Sequence, residues 1–172
     1  MTPIPRPGPD EYDPYYAGYV ADVPPGDVVT LLGTQTAELV TWLRAVPPER
    51  ESHRYAPDKW SIREVVGHLC DTERVLAYRA LRFSRGDHTP LPGFEQDDYV
   101  REAGCETRTL ADLTDEFLAI RRATVALFRG MSGAMTARHG TANDVGVSVR
   151  ALAYIIAGHE RHHARVLRER YG

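Results

Sequence analysis

Apolar side chains recur every three to four residues in four long segments of the chain, which is the period of an amphipathic α-helix. Each segment starts at a residue whose side chain can cap a helix. The segments span residues 27–46, 61–85, 109–129 and 148–172. This pattern predicts four long helices, each with one face turned toward a shared core.

The start of the second segment carries the clearest local signal. Ser61 is followed three residues later by Glu64, which forms a capping box in which each side chain satisfies a backbone amide at the start of the helix. Asp27, Thr109 and Ser148 stand at the corresponding positions of the other segments. They predict simpler N-caps, in which one side-chain oxygen accepts a backbone amide.

Two long connections and an N-terminal arm complete the chain. Residues 87–108 contain prolines, glycines and acids, with one helical turn predicted near 95–101, and residues 130–146 are rich in glycine. A proline-rich and tyrosine-rich stretch over residues 1–22 predicts an arm that packs on the body. Because strand-like alternation is sparse, the predicted fold class is all-α, with a four-helix bundle over residues 23–172.

Composition excludes several functions. The formal net charge is -3, whereas nucleic-acid binding needs a concentrated basic surface. No run approaches the roughly 18 apolar residues of a membrane span, and the first residues lack the apolar core of a signal peptide. The sequence therefore predicts a cytoplasmic protein without nucleic-acid or membrane partners, in which Cys70 and Cys105 are reduced thiols.

Three of the seven histidines fall within five residues of the last segment, in the sequence His-Glu-Arg-His-His. His159 and His163 are four residues apart and continue the aliphatic face of the helix, so both rings point into the protein. Side chains with this spacing lie about 5–6 Å apart at Cβ, close enough to bind one divalent cation. His162 lies at the margin of that face and is the reserve ligand.

The same residues match H-E-x-x-H, a zinc-protease signature in which the glutamate, here Glu160, activates water. The extended form of that motif would require glycine and histidine where this chain has Val166 and Glu169. A third ligand must therefore come from upstream. Two other interpretations stay open here: half-buried, hydrogen-bonded histidines, or a basic C-terminal turn that interacts with the helix dipole.

His68 in the second helix is the best upstream ligand. It lies about 60° around the helix from Val65, at one edge of the apolar face, so its ring can face the bundle interior. A lone histidine at such a position is more often a hydrogen-bonded residue of the core edge. Helix bundles bind metals through inward side chains of facing helices, however, and three such histidines on two helices favour a metal site.

Several of these segments together resemble the DinB/YfiT-like superfamily of bacterial proteins. The resemblance lies in residues 60–73, 92–94 and 158–163, and it extends from the tyrosines at 15–16 and the turn at 23–27 over nearly the whole chain. Its most specific element is a histidine in the second helix followed by His-x-x-x-His in the last helix.

The resemblance implies an up-down-down-up four-helix bundle that binds a divalent ion through His68, His159 and His163. Many members form homodimers, and some are enzymes that use low-molecular-weight thiols such as bacillithiol or mycothiol. The expected ion is zinc or nickel, since imidazole suits both. A small molecule, with a low-molecular-weight thiol among the candidates, is the expected partner.

Three neutral histidines would leave at least one coordination position for water or substrate, as in catalytic zinc sites. Such an ion lowers the pKa of bound water or holds a thiol as the thiolate. By family analogy alone, we expect a thiol-dependent S-transferase in detoxification or stress response. A metal-dependent hydrolase and a non-catalytic, stress-related binding module are the alternatives.

Other residues near the predicted ligands carry weaker signals. Asp71, Glu73 and Glu160 could assist the ligands, although charged residues on helices usually face solvent. Phe94 and Tyr99 in the long connection could cover the mouth of the site. No role is expected for the histidines of the predicted loops, which are His53, His88 and His139.

Overall fold

The computed structural model describes residues 3–172, most of which are helical. Single 3₁₀ turns lie at Pro9–Glu11, Pro14–Tyr16, Pro48–Arg50 and Cys105–Thr107. The α-helices are α1 (Ala17–Asp22), α2 (Val28–Thr34), α3 (Thr36–Arg44), α4 (Ile62–Ser84), α5 (Gln96–Glu102), α6 (Leu110–Arg129), α7 (Gly133–Thr136) and α8 (Val149–Tyr171), and the strands are β1 (His139–Ala142) and β2 (Val145–Ser148). Within this range no helix is both long and apolar enough to cross a membrane.

The capping residues named from the sequence start their helices as predicted. At α4, Ser61 Oγ accepts the Glu64 amide at 3.3 Å and Glu64 Oε2 accepts the Ser61 amide at 2.6 Å. The side chains of Asp27, Thr109 and Ser148 likewise accept amides in the first turns of α2, α6 and α8. These local hydrogen bonds explain why the starts of the four helices could be predicted.

The first predicted helix is interrupted near its middle. Residue Gln35 between α2 and α3 keeps helical dihedral angles of -62° and -31°, so the helix axis continues through the interruption. The preceding Thr34 turns its hydroxyl back onto the carbonyls of Thr30 and Leu31, at 3.1 and 3.3 Å. Such bonds compete with the backbone ladder and bend helices.

Contacts between α4 and its two neighbours define the direction of those helices. Cys70 Sγ lies 3.8 Å from the Leu113 carbonyl, and Glu73 binds Arg121 farther along. Residue numbers therefore increase in the same direction along α4 and α6, so these two helices run parallel. Between α4 and α8 the order reverses: His68 meets His159, whereas the carbonyl just before α4, that of Trp60, accepts the hydroxyl of the Tyr171 phenol at the end of α8.

The first long helical segment, α2–α3, runs parallel to α8. Gln35 contacts Ala157 and Glu38 contacts Arg168, so positions on α2–α3 and α8 also increase together. Together with the parallel α4–α6 pair, this gives the up-down-down-up bundle that the resemblance implied. The long connection over residues 87–108 is required because it joins α4 to α6, and parallel neighbours cannot be joined by a tight turn.

Two hydrophobic clusters fill the bundle, one on each side of a set of polar side chains. On α8 one cluster extends to Ala157 and the other begins at Ala164. On α4 the corresponding boundaries are Leu76 and Cys70. The side chains near this boundary, here called the polar layer, are buried or half-buried: His68, Glu73, Arg121, His159, Glu160 and His163.

The second predicted loop contains structure that the sequence interpretation missed. Within residues 130–146 the chain forms the short helix α7, and it then enters an antiparallel hairpin in which Ala142 pairs with Val145. Asn143 and Asp144 form the two-residue turn with φ of 53° and 60°, the conformation of a type I′ turn. Strands of four residues with glycines offer too little apolar alternation to be recognised.

The N-terminal arm is held on α8 by charged and polar contacts. Both carboxylate oxygens of Glu11 accept hydrogen bonds from Arg150, each at 2.6 Å. Burial raises the pKa of Glu11, but the Arg150 guanidinium and the Gly8 amide outweigh it and hold the pKa at about 2. Tyr154 donates its hydroxyl to the Ile4 carbonyl at 3.2 Å. These contacts bring the tyrosines of the arm to the polar layer.

Candidate metal centre

Three histidines converge where α4 passes α8. His68 on α4 and His159 and His163 on α8 each offer a ring nitrogen, and these nitrogens all lie within 4.8 Å of one another. His68 Nε2 and His159 Nε2 are 3.0 Å apart. The structure therefore brings together all three of the residues that the sequence nominated.

The geometry follows from the helix period and the antiparallel crossing. His159 and His163 are one turn apart on α8, with their ring centroids separated by 4.6 Å. His68 faces this pair from α4, with ring centroids 4.9 Å from each. Each helix places its histidine among aliphatic positions of the same face, so burial of the face also buries the rings.

The three rings are neutral near pH 7. Burial lowers the pKa of His68 to about 4 and that of His163 to about 3, and it lowers the pKa of His159 well below the usual range. A neutral imidazole has one nitrogen with a free lone pair, which is the form that binds metals. On His68, Nδ1 lies 3.4 Å from Thr72 Oγ1, which leaves Nε2 facing the other rings.

The donor set and its spacing fit a divalent cation. Two nitrogens bonded to one tetrahedral ion at roughly 2.0–2.1 Å would lie about 3.3 Å apart, close to the 3.0 Å between His68 and His159. All three donors are nitrogens, which suits zinc, nickel or copper better than calcium or magnesium. The binding of an ion by these three nitrogens is therefore a prediction of the geometry.

Two aromatic side chains flank the histidines. The Trp60 ring lies 4.6 Å from the His68 ring, centroid to centroid, and 6.5 Å from that of His163. On the other side, the Tyr19 ring lies perpendicular to the His159 ring, with centroids 5.5 Å apart. Trp60 fell within the resembling segment, but neither residue was assigned to the site from the sequence. Tyr19 reaches it only because the arm folds back along α8.

A cavity of about 210 Å³ opens onto His68 and His159. Its other lining residues are aromatic, aliphatic or polar: Tyr15, Tyr16, Tyr19, Thr72, Leu76, Phe94, Glu95, Gln96 and Ile155. Phe94 was predicted to cover the mouth and does line it. Tyr99 packs edge-on against Phe94 with centroids 5.0 Å apart but does not line the cavity itself. The histidines are therefore reachable by a small molecule.

Two of the three acids near the ligands are buried, contrary to the expectation that they would face solvent. Glu73 and Glu160 are 3% and 2% exposed, and both bind Arg121, which is itself 3% exposed. Arg121 Nε and Nη2 meet the two oxygens of Glu73 at 2.8 and 2.7 Å. Asp71 behaves as expected, since it is only partly buried and lies 3.8 Å from Arg74.

Arg121 was missed, although the sequence contained a signal for it. It stands four residues after Phe117 and four before Val125, on the stripe that α6 turns toward the core. A charged residue on such a stripe requires buried partners of opposite charge. Pairing Arg121 with Glu73 required knowledge that α4 and α6 run parallel, which the helix pattern alone does not supply.

The position of Glu160 argues against the protease-like interpretation of the histidine motif. Its Oε2 accepts hydrogen bonds from Arg121 and from Gln35 of the first helix, so the carboxylate lies on a different face of α8 from the His159 ring. In a metalloprotease of this type the glutamate must reach the water beside the ion. The match to H-E-x-x-H is therefore a consequence of helical spacing.

The remaining histidines and both cysteines contribute no atom to the group of three ring nitrogens, although the His162 ring lies 5.1 Å from that of His163, centroid to centroid. His162 is half-buried and lies with its ring 5.4 Å from Tyr19, while the three loop histidines are exposed. Cys70 and Cys105 are free thiols, as expected from the sequence, and both are buried. Burial raises the pKa of both thiols, so neither supplies a thiolate near neutral pH.

Gly158 allows the arm to approach the site. A Cβ atom added there would lie 1.9 Å from the carbonyl oxygen of Tyr19, a backbone atom that can only move together with α1. We expect Gly158→Ala to lower the free energy of unfolding by about 1–3 kcal/mol, since overpacking forces such shifts. Chemical denaturation monitored by circular dichroism measures the change.

Gly18 provides the matched control for this substitution. It lies within α1 itself, and a Cβ atom added there would meet nothing within 4 Å. Gly18→Ala should therefore be neutral or stabilise the helix by up to about 1 kcal/mol. Equal stability of the two variants would show that contact between α1 and Gly158 is unimportant.

Comparison with known proteins agrees with this architecture. Residues 31–167 match the DinB superfamily. YfiT from Bacillus subtilis, described as a probable metal-dependent hydrolase with an unusual four-helix bundle topology, superimposes with a TM-score of 0.77. The two chains share 16% identity, over 92% of this chain and 91% of YfiT. Among curated proteins, none matches the sequence.

A second similar structure is the mycothiol-dependent maleylpyruvate isomerase. It superimposes with a TM-score of 0.69 at 15% identity and covers 85% of this chain. The present chain spans 61% of the isomerase, so the isomerase contains a further region without a counterpart here. At these identities both structures show a shared fold. Together with the match over residues 31–167, they show that the chain belongs to the DinB superfamily.

Proposed function

We propose that the protein is a metal-dependent enzyme in which His68, His159 and His163 hold a divalent cation, and that it transfers a low-molecular-weight thiol to an electrophile. The observation that carries this proposal is the group of three neutral imidazoles, two of which, His68 and His159, line a cavity of about 210 Å³. A cation bound there would act as a Lewis acid and lower the pKa of a thiol or water molecule toward neutrality.

The chain's own residues prepare the site for this chemistry. Thr72 and Trp60 contact His68 and limit the rotation of its ring, so its Nε2 keeps facing the α8 histidines. Burial raises the pKa of Tyr19, which keeps the phenol protonated at neutral pH. In the cavity, that hydroxyl can donate a hydrogen bond to an oxygen or sulfur on which negative charge develops.

The nucleophile is proposed to come from outside the chain. Cys70 and Cys105 are buried and have raised pKa values, so neither is a reactive thiolate. Glu73 and Glu160 are committed to Arg121, which leaves no acid of the polar layer free to act as a base. Deprotonation of a thiol, with an ordinary pKa of about 8.5, demands less of such a site than deprotonation of water.

A metal-dependent hydrolase is the second candidate, and Glu95 favours it. This exposed carboxylate lines the cavity that contains His68 and His159. It is therefore an acid in the cavity wall that could accept a proton from an attacking water molecule. YfiT, which is similar in fold, is described as a probable metal-dependent hydrolase.

Turnover assays with and without metal separate the two candidates. The protein is purified without chelator and its metal content is measured. The consumption of bacillithiol, mycothiol and other small thiols is then followed in the presence of model electrophiles. Hydrolysis of esters and amides is measured in parallel. We expect thiol transfer well above the uncatalysed rate, lost on chelation and restored by zinc or nickel. Turnover of esters or amides alone would favour the hydrolase, and no metal-dependent turnover at all would contradict both.

A further inference from the structure

The described chain contains two deeply buried arginines in its helices, and they differ in their partners. Arg121 is paired with two carboxylates in the polar layer. Arg79 on α4 is only 5% exposed, yet within residues 3–172 no carboxylate oxygen lies within 4.0 Å of its guanidinium nitrogens. Its Nη2 donates to the Pro92 carbonyl at 2.8 Å. Its guanidinium is therefore not part of a direct ion pair.

A buried charge without a direct ion-pair partner destabilises the folded protein, so its presence beside a cavity suggests a role in binding. Burial lowers the pKa of Arg79, but a guanidinium still remains protonated at neutral pH. Two neutral groups, the Pro92 carbonyl and the Tyr16 hydroxyl, satisfy part of its fork of five donors. The remaining donors and the charge are suited to a planar anion, which a guanidinium binds through two parallel hydrogen bonds.

Arg79 lies on the same face of α4 as His68. Thr72 and Leu76 stand between them at helical spacing, and both line the cavity beside the histidines. Eleven residues of helix separate the two Cα atoms by about 16 Å, a distance that the long arginine side chain shortens. The α4 face thus connects the candidate metal ligand with the unpaired guanidinium.

A second, smaller recess adjoins the cavity on the side of Arg79. A recess of about 20 Å³ is lined by Arg79 and shares Tyr16, Leu76 and Ile155 with the larger cavity. That volume holds about one water molecule, or one oxygen of a carboxylate. The larger cavity, with a volume of about 210 Å³ and several aromatic side chains in its wall, suits the body of a small organic molecule.

We infer that Arg79 binds the carboxylate of the substrate, and that the substrate is a small organic acid with an apolar or aromatic body between its carboxylate and its reacting end. The position of the reacting end near His68 rests on the proposed function, whereas the anion site does not. Arg79 is then a specificity-determining residue, about one molecule's length away from the three histidines.

Two acidic residues in the walls of the recess and of the larger cavity limit the negative charge that this substrate can carry. Asp13 lines the recess with Arg79, although its Oδ1 accepts the Tyr15 amide at 2.8 Å. Glu95 stands, exposed, at the wall of the larger cavity. Both would repel additional negative charge, so a single carboxylate fits this cavity better than a phosphate or a dicarboxylate.

Binding of an acid and of its uncharged amide tests the inference. Hydrocinnamate and hydrocinnamamide have the same shape and differ in charge, and calorimetry gives the affinity of each for the full-length protein, both zinc-loaded and treated with chelator. A hydrogen-bonded ion pair contributes about 1.5–3 kcal/mol, so we expect the wild type to prefer the acid by about tenfold or more. The preference should persist after chelation, because Arg79 and not the cation carries it.

Variants separate recognition of the anion from a structural role of Arg79. Arg79→Gln should bind the acid and the amide equally, whereas Arg79→Lys, which keeps the charge but not the fork, should retain part of the preference. Arg85→Gln, which replaces an exposed arginine directly after the end of α4, should behave as the wild type. Loss of the Pro92 contact would weaken both ligands alike and would leave their ratio unchanged.

The outcomes are distinguishable from failure of the proposed function. An acid preference that disappears in Arg79→Gln supports the anion site even if no thiol or ester is turned over. A wild type without preference for the acid, or an Arg79→Gln variant that retains it, overturns the inference whatever the turnover assays show. If Arg79→Gln does not fold, as judged by circular dichroism, an Arg79→Lys variant with the full wild-type preference also counts against it.

Discussion

Replacing His159 by alanine is expected to abolish stoichiometric binding of zinc or nickel. His159 is the central donor, because its Nε2 lies 3.0 Å from that of His68 and its ring centroid lies 4.6 Å from that of His163. Loss of a residue that merely orients a ligand already costs roughly 10- to 100-fold in metal affinity. Loss of a ligand itself should cost more, so we expect the variant to lose its metal on dialysis while the wild type retains about one ion per chain.

His162 supplies the matched control for this experiment. It lies in the same turn of α8 and is half-buried, but its ring contacts Tyr19 instead of entering the group of three nitrogens. His162→Ala should therefore retain the metal. Elemental analysis after loading with zinc and dialysis against metal-free buffer measures both variants, and circular dichroism confirms that each is folded. Equal metal content in His159→Ala and the wild type would exclude the proposed ligand set.

The histidine group was predictable because each of its parts is encoded locally. The spacing of His159 and His163 follows from one helical turn, and the edge position of His68 follows from the period of α4. What the sequence pattern could not supply was their convergence, which depends on α4 and α8 crossing at the same height. The family resemblance supplied that information, and the structure agrees with it.

The polar layer shows where sequence interpretation stops. Glu73 and Glu160 belong to helices whose other charged residues are mostly solvated, so the pattern alone assigned them to the surface. Their burial depends on Arg121, which lies 48 and 39 positions away in the sequence. A buried charge can be recognised from sequence only together with its partner, and the partner is defined by the packing of three helices.

Short elements held by few hydrogen bonds were missed for a different reason. The hairpin β1–β2 depends on two turn residues with positive φ, Asn143 and Asp144, and on strands of four residues each. Tyr19 and Trp60 reach the histidines through the arm and through the segment before α4, neither of which has a helical period of its own. Residues contributed by such segments become visible only when the body on which they pack is known.

Removal of the Arg121 charge is expected to have the largest effect on stability. Its guanidinium meets Glu73 at 2.8 and 2.7 Å, contacts Glu160, and donates to Thr36 Oγ1 at 2.7 Å. Arg121→Met would leave two carboxylates buried among helices without a cation. Breaking a buried pair by removing one partner costs about 3–5 kcal/mol, and we expect a loss of that size in the free energy of unfolding by chemical denaturation.

Two further variants determine whether charge, and not lost packing, causes this loss. Arg122→Met changes the exposed neighbour on α6 and should stay within about 0.5 kcal/mol of the wild type. The triple variant Glu73→Gln, Arg121→Met, Glu160→Gln removes the cation and both anions together, and it should recover most of the stability, since buried charges replaced as a set are often neutral in effect. If the triple variant is as unstable as Arg121→Met alone, the packing of the arginine and not its charge holds the helices together at the polar layer. Recovery would instead show that the three charges mainly compensate one another. The neighbouring histidines would then be available to bind a cation.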